Sequence, residues 1–368
     1  MKRVEPALRS HRDSKASSAA RGKELDAILE GVSRSFFLSL RVVPRAMREQ
    51  LCVGYLFCRA ADTIADTRLL APARRLEMLE LFRARFTCDD DRANASALET
   101  IARGIVGTSD VAREHELLSR LPDVFAVYRR FDANDRALLE RLVLTLTRGM
   151  EMDLERFPDE SSGEVGALET DEDLDRYCYH VAGCVGEFWS DLQHARVRAL
   201  SGWDVERWRP EGVRFGKALQ MTNILRDADR DFAIGRVYLP RVRLEARGIE
   251  WRELPRASDR SALRPIVHDL LRLTLDHYRA GWAYTLSLPR RAPRLRLACV
   301  WPLWIGLRTL ELLALARDPC APDQRIKISR TEVARVIRSS VLRVASIRAL
   351  DATFRALEAR VVRRLENA

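Results

Sequence analysis

The chain has 368 residues, of which 47% are hydrophobic, which is enough for a large core in one big domain or two ordinary ones. Its net charge of +10 favours an anionic partner such as nucleic acid, anionic lipid or a phosphorylated substrate. The 7 cysteines form no C-x-x-C pair, which argues against a disulfide framework or a zinc site and indicates free thiols in a reducing compartment.

Residues 1–22 are rich in Arg, Lys, Ser and Ala and contain no apolar h-region, so they are predicted to form a disordered basic tail. Residues 23–368 show no internal repeat or boundary and are treated as one domain. Their apolar residues recur at three- and four-residue spacing, which predicts an all-α fold. The predicted helices cover 24–32, a segment that carries Asp62 and ends before 72, 73–86, 97–105, 111–131, 134–157, 171–194, a segment that carries Asp227, 263–288, 295–316 and 331–365.

The second predicted helix carries two carboxylates one turn apart, Asp62 and Asp66, with Arg59 one turn before them. Like charges at i and i+4 share a helix face and repel by about 0.2–0.5 kcal/mol. The flanking residues are apolar, so the helix should be largely buried, and a buried carboxylate needs a partner.

A later stretch repeats this arrangement. Gln220, Asn223, Asp227 and Asp231 follow one another at steps of three and four residues and therefore line one helix face. A single D-x-x-x-D motif in a chain that is 32% charged is usually a solvated face. Two such motifs, each in an apolar helix beside an arginine, favour two carboxylate walls that face each other across a cation.

Two segments have two interpretations each. The hydroxyls and guanidinium of Ser33-Arg34-Ser35 would suit a phosphate, but taken alone the segment is better explained by a serine N-cap with a surface arginine. The small residues at 182, 183 and 186 would allow close approach either of a neighbouring helix or of an apolar ligand.

Two other segments have a single expectation. Glu151 and Asp153 are predicted to be peripheral rather than catalytic, and residues 236–240 are predicted to form a lid-like loop in which Arg236 could reach an anion.

The paired aspartates suit a diphosphate bridged to Mg²⁺, because magnesium is typically held by one or two protein carboxylates together with phosphate oxygens. Four arginines would surround the diphosphate: Arg34, Arg59, Arg226 and Arg236. Departure of the diphosphate leaves a carbocation, which an apolar cavity must keep from water. These residues do not choose among chain elongation, cyclisation and head-to-head coupling.

From about Ser33 to Arg330 the chain resembles the squalene/phytoene synthase family of head-to-head prenyl transferases. The resemblance is carried by residues 33–36, 55–66, 177–186, 220–240 and 299–302. It implies a class I terpenoid (isoprenoid) synthase fold, in which a helical bundle surrounds a central apolar cavity.

The resemblance also implies a role for each matching residue. Metal ligands for Mg²⁺ would be Asp62, Asp66, Asp227 and Asp231. Diphosphate contacts would come from Ser33, Arg34, Ser35, Arg59, Gln220, Asn223, Arg226 and Arg236. Catalytic positions would be Tyr177, Tyr55, Arg59 and Arg226, with Tyr177 assisting proton or cation handling during cyclopropane formation.

Segments 60–66, 299–302 and 326–330 resemble the squalene synthase members, whereas Gly235–Pro240 is nearer the phytoene-type sequence. The resemblance thus implies condensation of two farnesyl diphosphates to presqualene diphosphate, followed by NADPH-dependent reduction to squalene for sterol or hopanoid biosynthesis. A non-reductive phytoene- or dehydrosqualene-type synthase and a presqualene diphosphate synthase remain alternatives. No G-x-G-x-x-G motif follows a strand, so NADPH rests on the resemblance alone, with Lys327 and Arg330 as candidate contacts.

The remaining expectations concern partners and location. The most apolar uncharged run, Leu297–Leu307, is shorter than the ~20 residues that span a bilayer, so no transmembrane segment is predicted. The protein is expected in the cytoplasm, with peripheral contact at the inner face of the membrane for release of an oily product. A basic helical protein without catalysis is the competing class. However, the basic residues are dispersed without interleaved aromatics, which argues against nucleic acid.

Overall fold

The computed structural model describes residues 42–67, 70–88, 90–105, 112–322 and 325–367. The predicted tail, the predicted helix over 24–32 and the Ser33-Arg34-Ser35 segment lie outside the described residues.

The described chain is almost entirely helical, which confirms the all-α prediction. Its α-helices are α1 (Arg45–Ala65), α2 (Pro72–Thr87), α3 (Asp91–Ile105), α4 (Ala112–Ser119), α5 (Leu121–Tyr128), α6 (Ala133–Arg156), α7 (Asp171–Cys178), α8 (Cys184–Arg196), α9 (Val205–Ala233), α10 (Arg241–Glu245), α11 (Arg264–Ser287), α12 (Pro293–Leu315), α13 (Arg330–Arg343) and α14 (Ile347–Glu366). A π-helical turn, Tyr179–Gly183, joins α7 to α8.

Two predicted helices are each divided in the structure. The segment predicted as 111–131 ends at Ser119 and begins again at Leu121, because Pro122 fits only the first turn of a helix. The segment predicted as 331–365 is divided at residues 344–346, where the Ser346 side chain accepts a hydrogen bond from the Ala349 amide and caps α14.

A short parallel strand pair was not expected from the sequence. β1 (Gly166–Ala167) pairs with β2 (Arg236–Val237), so the segment after α6 is fastened to the segment after α9. Gly235 precedes β2 with a φ of +75°, and a Cβ at this position would lie 2.3 Å from the Glu164 carbonyl oxygen. A glycine is therefore required here both by the backbone conformation and by the close approach of the neighbouring chain.

Helix α9 is the centre of the bundle and packs chiefly against α11 and α8. Its crossing with α8 and the preceding π-helical turn brings the backbones together at glycines. A Cβ on Gly216 would lie 2.1 Å from the carbonyl oxygen of Ala182 in that turn, and one on Gly186 of α8 would lie 1.9 Å from that of Gly212. The small residues near position 183 had two interpretations, and this contact supports the close approach of a neighbouring helix.

The described core is one continuous cluster of buried side chains that runs from Val43 to Leu365. The last helix is fastened to α11 by Trp282 and Phe354, whose rings stack at 4.5 Å, while Trp282 Nε1 donates to Asp351 Oδ1 over 2.8 Å. The single domain over 23–368 stays a prediction, which this continuous core supports.

One described helix, Pro293–Leu315, is long and apolar enough to cross a membrane by length and composition alone. The bundle buries 67% of its most apolar window. Its apolar character is therefore accounted for by its place in the core, where Leu303 and Trp304 are almost wholly enclosed.

Candidate active site

Helix α1 positions the first pair of aspartates. Its inner face is fixed by fully buried residues such as Leu56, Phe57 and Ile64, so the polar positions between them turn toward a cavity. Asp62 and Asp66 both line that cavity, and Arg59 Nη1 lies 2.5 Å from Asp62 Oδ2. The basic and acidic groups of the first motif therefore form one unit at the cavity wall.

Helix α9 positions the second pair. Gln220 and Asn223 line the same cavity, and one and two turns later come Asp227 and Asp231. The Arg226 guanidinium forms an ion pair with the adjacent Asp227 carboxylate. Arg226 is thus placed with the acidic motif, although it does not itself line the cavity.

The electrostatics of Asp231 place the two acidic motifs near each other. The pKa of Asp231 is raised to about 7, first by burial and then by the charges of Asp227, Asp153 and Asp66, against the lowering effect of Arg236. Asp66 belongs to α1, so the two motifs share one concentration of carboxylates. A cation would bind favourably beside such a concentration.

The donor set fits Mg²⁺ in one particular manner. Among the described residues no group of three or more His, Cys, Asp or Glu side chains converges closely enough to hold a metal ion alone. Magnesium commonly keeps only one or two protein carboxylates and completes its shell with water and phosphate oxygens. The four aspartates, one pair on each of two helices, would hold Mg²⁺ in this manner, with a diphosphate supplying further oxygens.

The cavity itself has a volume of about 600 Å³. Its wall combines aspartates, amides and arginines with apolar side chains, Leu142, Leu146 and Phe188 among them. A second, almost purely apolar cavity of about 310 Å³ shares Leu51, Val185 and Phe188 with the first. Gly186, Gly212 and Gly216 line this second cavity, so the glycines that permit the helix crossing also leave apolar space beside it.

A buried carboxylate that the sequence analysis placed at the periphery belongs to this site. Asp153, on α6, lines the cavity, and its Oδ2 accepts hydrogen bonds from Tyr238 Oη at 2.6 Å and from Tyr177 Oη at 3.1 Å. The two tyrosine rings stack with centroids 5.0 Å apart. The expectation for Asp153 was wrong, and a signal was present: the residue falls on the apolar stripe formed by Leu146, Met150 and Leu154.

Burial raises the pKa of Asp153 to about 6, although Arg236 and the two tyrosine hydroxyls act to lower it. Burial likewise raises the pKa of the Tyr177 and Tyr238 hydroxyls well above 10. Both phenols therefore stay protonated, while the carboxyl group between them can exchange a proton near neutral pH.

The segment predicted to be a lid is instead buried and tied down. Val237, Tyr238 and Leu239 are each less than 7% exposed, and β2 fixes the backbone. Arg236 lines the cavity, with Nη2 2.7 Å from Glu160 Oε1 and Nη1 3.5 Å from Asp153 Oδ2. The lid expectation was wrong, because alternate residues of this segment supply core and cavity side chains.

The structure brings most of the predicted site residues to one place. Those that line the cavity are Tyr55, Arg59, Asp62, Asp66, Tyr177, Gln220, Asn223 and Arg236. Asp227, Asp231 and Arg226 adjoin it on α9. The candidate nucleotide contacts Lys327 and Arg330 are exposed and do not line the cavity.

Solved structures share this arrangement of helices. TcSQS, solved with a bound ligand, superposes with a TM-score of 0.71 at 23% identity, covering 95% of this chain and 99% of that one. A dehydrosqualene synthase superposes with a TM-score of 0.62 at 20% identity, covering 90% and 99%. The all-α bundle around a central cavity is therefore the class I terpenoid synthase fold.

The sequence comparisons name the family. Residues 29–332 match the squalene/phytoene synthase family, and the chain belongs to it. The presqualene diphosphate synthases of Zymomonas mobilis and Rhodopseudomonas palustris are 30% and 31% identical, over 81% and 80% of this chain and 85% and 88% of theirs. A phytoene synthase of Mycobacterium tuberculosis is 27% identical over 86% of this chain and 89% of its own. The protein is accordingly an enzyme, a prenyltransferase of isoprenoid biosynthesis.

Proposed function

We propose that the protein joins two farnesyl diphosphates head to head, in a reaction that depends on Mg²⁺, and forms presqualene diphosphate. The observation that carries this proposal is a single, partly apolar cavity whose wall carries the acidic motif of α1 together with Gln220 and Asn223 of α9, one turn before the second acidic motif. Similarity to two presqualene diphosphate synthases supports the same product.

The position of each residue in the site indicates its proposed role. Asp62, Asp66, Asp227 and Asp231 would hold Mg²⁺, which when bound supplies charge neutralisation for the departing diphosphate. Arg59 and Arg236 line the cavity and would contact diphosphate oxygens.

The apolar walls would hold the prenyl chains. Leu142, Leu146 and Phe188 exclude water from the carbon that loses its diphosphate, which protects a carbocation from capture. The neighbouring apolar cavity offers room for a second chain. Tyr177 and Tyr55 line the wall where the reacting carbons would lie.

The reductive step to squalene is the second candidate function. It is favoured by the segments 60–66, 299–302 and 326–330, which resemble the squalene synthase members. Lys327 and Arg330 are exposed and lie outside the cavity wall, so NADPH remains a prediction from resemblance. Peripheral contact with the membrane also remains a prediction.

The experiment is product analysis with purified protein and Mg²⁺, comparing farnesyl and geranylgeranyl diphosphate, each with and without NADPH. We expect presqualene diphosphate from farnesyl diphosphate, whether or not NADPH is present. Squalene formed only with NADPH would establish the reductive candidate. Dehydrosqualene, or phytoene from the longer substrate, would establish a non-reductive synthase. No prenyl product under any condition would overturn the proposal.

A further inference from the structure

Asp153 is reached from two sides. On one side it lines the 600 Å³ cavity of the proposed reaction, and on the other it lines a polar cavity of about 400 Å³. Tyr177 is the other residue of the Asp153 cluster that lines both. Asp153 and Tyr177 therefore form a wall one side chain thick between an apolar chamber and a polar one.

The outer chamber differs chemically from the inner one. Its wall carries His180, Arg148, Arg156, Arg176 and Asp173, and more of its surface is polar than apolar. Such a chamber can hold water. A proton that reached Asp153 from the inner side could thus leave on the outer side without crossing the apolar cavity.

The phenol of Tyr177 cannot serve as a base by itself. Burial raises its pKa well above 10, so the phenolate is not populated near neutral pH. Its Oη, however, already donates to Asp153 Oδ2 over 3.1 Å, and Tyr238 Oη donates to the same oxygen at 2.6 Å. The geometry of a relay is present without any movement of these groups.

We infer that Asp153 is the terminal acceptor of the proton lost during carbon–carbon bond formation, receiving it through Tyr177 and releasing it to water in the outer polar cavity. This inference rests on the proposed function. Ring closure breaks one C–H bond, whose electron pair forms the new C–C bond of the cyclopropane. The proton passes to Tyr177 Oη while the hydroxyl proton of Tyr177 passes to Asp153. Tyr177 stays a neutral phenol, and the carboxylic acid then gives its proton to water.

The test compares Asp153→Asn with Glu140→Gln, a change at the other end of α6 that lies outside both chambers. Asn keeps the size and an oxygen acceptor but cannot take up the proton. In Asp153→Asn we expect the kcat of presqualene diphosphate formation to fall about 100-fold, which is in the range of general acid–base effects. KM, and binding of Mg²⁺ with inorganic diphosphate by calorimetry, should stay within about threefold, since no interaction made equally with bound substrate is removed.

The pH profile separates a relay from a merely structural role. Wild-type kcat/KM should fall as the pH drops through about 6, where Asp153 becomes protonated and can no longer accept. In Asp153→Asn that decline should be lost. The charged and titratable groups around Asp153 are Arg236 and Tyr238 near β2, Tyr177 and His180 around the π-helical turn, Asp66 on α1, Asp231 on α9, and Arg148, Glu155, Arg156, Asp173 and Arg176 around the outer chamber.

A second variant covers the case in which Asp153→Asn fails to fold. Tyr177→Phe removes the hydroxyl that passes the proton and leaves the acceptor Asp153 in place. It should show the same loss of kcat. The double variant should be no slower than either single one, because the two groups act in one step. If the wild-type protein forms presqualene diphosphate and Asp153→Asn forms it at the same rate, the relay is overturned. The departing diphosphate would then be the proton acceptor. An inactive wild-type protein would instead refute the proposed function.

Discussion

Asp66 and Asp231 lie on different helices, yet their carboxylates belong to one electrostatic environment. The pKa of Asp231 is raised first by burial, then by Asp227, and also by Asp153 and Asp66. Asp66 caps the carboxyl end of α1, and Asp231 lies near the carboxyl end of α9. A bound cation would relieve the repulsion between these carboxylates.

Asp62→Asn and Asp227→Asn should each lose most of the turnover while the fold stays intact. Either change removes one carboxylate from a proposed Mg²⁺ and diphosphate site, and loss of electrostatic stabilisation at one position typically costs about 10²–10³ in kcat. Turnover of farnesyl diphosphate and thermal melting are the measurements.

Asp123→Asn is the matched control for both aspartates, because Asp123 is exposed and pairs only with the neighbouring Arg120 in the described contacts. It should retain wild-type turnover. Unchanged turnover in Asp62→Asn or Asp227→Asn would refute the assignment of that residue as a metal ligand.

Asp231→Asn should change the pH dependence of stability in the absence of Mg²⁺. The pKa of Asp231 is raised from 3.8 to about 7, so the native state holds a proton that the unfolded chain has already lost, and stability falls as pH rises between these values. Asparagine does not titrate, so in Asp231→Asn this loss of stability with rising pH is absent. The Tm of Asp231→Asn minus that of wild type should therefore be larger at about pH 8 than at about pH 5, as measured by thermal melting in chelator.

The same variant should lose its advantage when ligand is added. Mg²⁺ with inorganic diphosphate should raise the Tm of wild type, because a ligand that binds only the native state stabilises it, and should raise that of Asp231→Asn much less. A Tm difference between the two proteins that is constant with pH would contradict the raised pKa.

Gly216→Ala should destabilise the crossing of α8 and α9. The new Cβ would lie 2.1 Å from the Ala182 carbonyl oxygen and 3.0 Å from the Gly183 Cα, and both are backbone atoms that cannot rotate away. Overpacking of this kind typically costs about 1–3 kcal/mol in the free energy of unfolding. Gly202→Ala is the control, since a Cβ there meets nothing within 4 Å. Equal unfolding midpoints in denaturant for the two variants would contradict the crossing.

Phe354→Ala should loosen the carboxy-terminal helix. Phe354 is fully buried and stacks on Trp282, so its removal leaves a cavity that costs about 3–5 kcal/mol in the free energy of unfolding. Phe354→Leu, which keeps most of the volume, should cost clearly less. Denaturant unfolding measures both, and a loss under about 0.5 kcal/mol for Ala would show that α14 contributes little to the folded state.

Much of the site was predictable from local spacing. The periodicity that makes α1 and α9 helices also fixes which residues share a face, so Asp62 with Asp66 and Asp227 with Asp231 follow from sequence separation alone. The presence of two such motifs, each in an apolar helix beside an arginine, then predicted that the two faces would meet. The family resemblance added Tyr177 and Arg236, which line the cavity wall.

Other features depend on contacts between segments far apart in the chain. Asp153 was predicted to be peripheral, and its partners, Tyr177 and Tyr238, are contributed by other segments. The segment 236–240 was predicted to be a lid because Gly235 interrupts the helix, whereas pairing of β2 with β1 buries it.

Sequence by itself determined the helices, the acidic faces and the family, because each depends on residues within a few turns of one another or on short matching segments. Tertiary structure alone decided that the carboxylates of Asp66 and Asp231 interact electrostatically, that Asp153 lies between two cavities and that glycines allow α8 and α9 to pack closely. Those properties arise from distances between chain segments and from exclusion of water, and neither is written in the local order of residues.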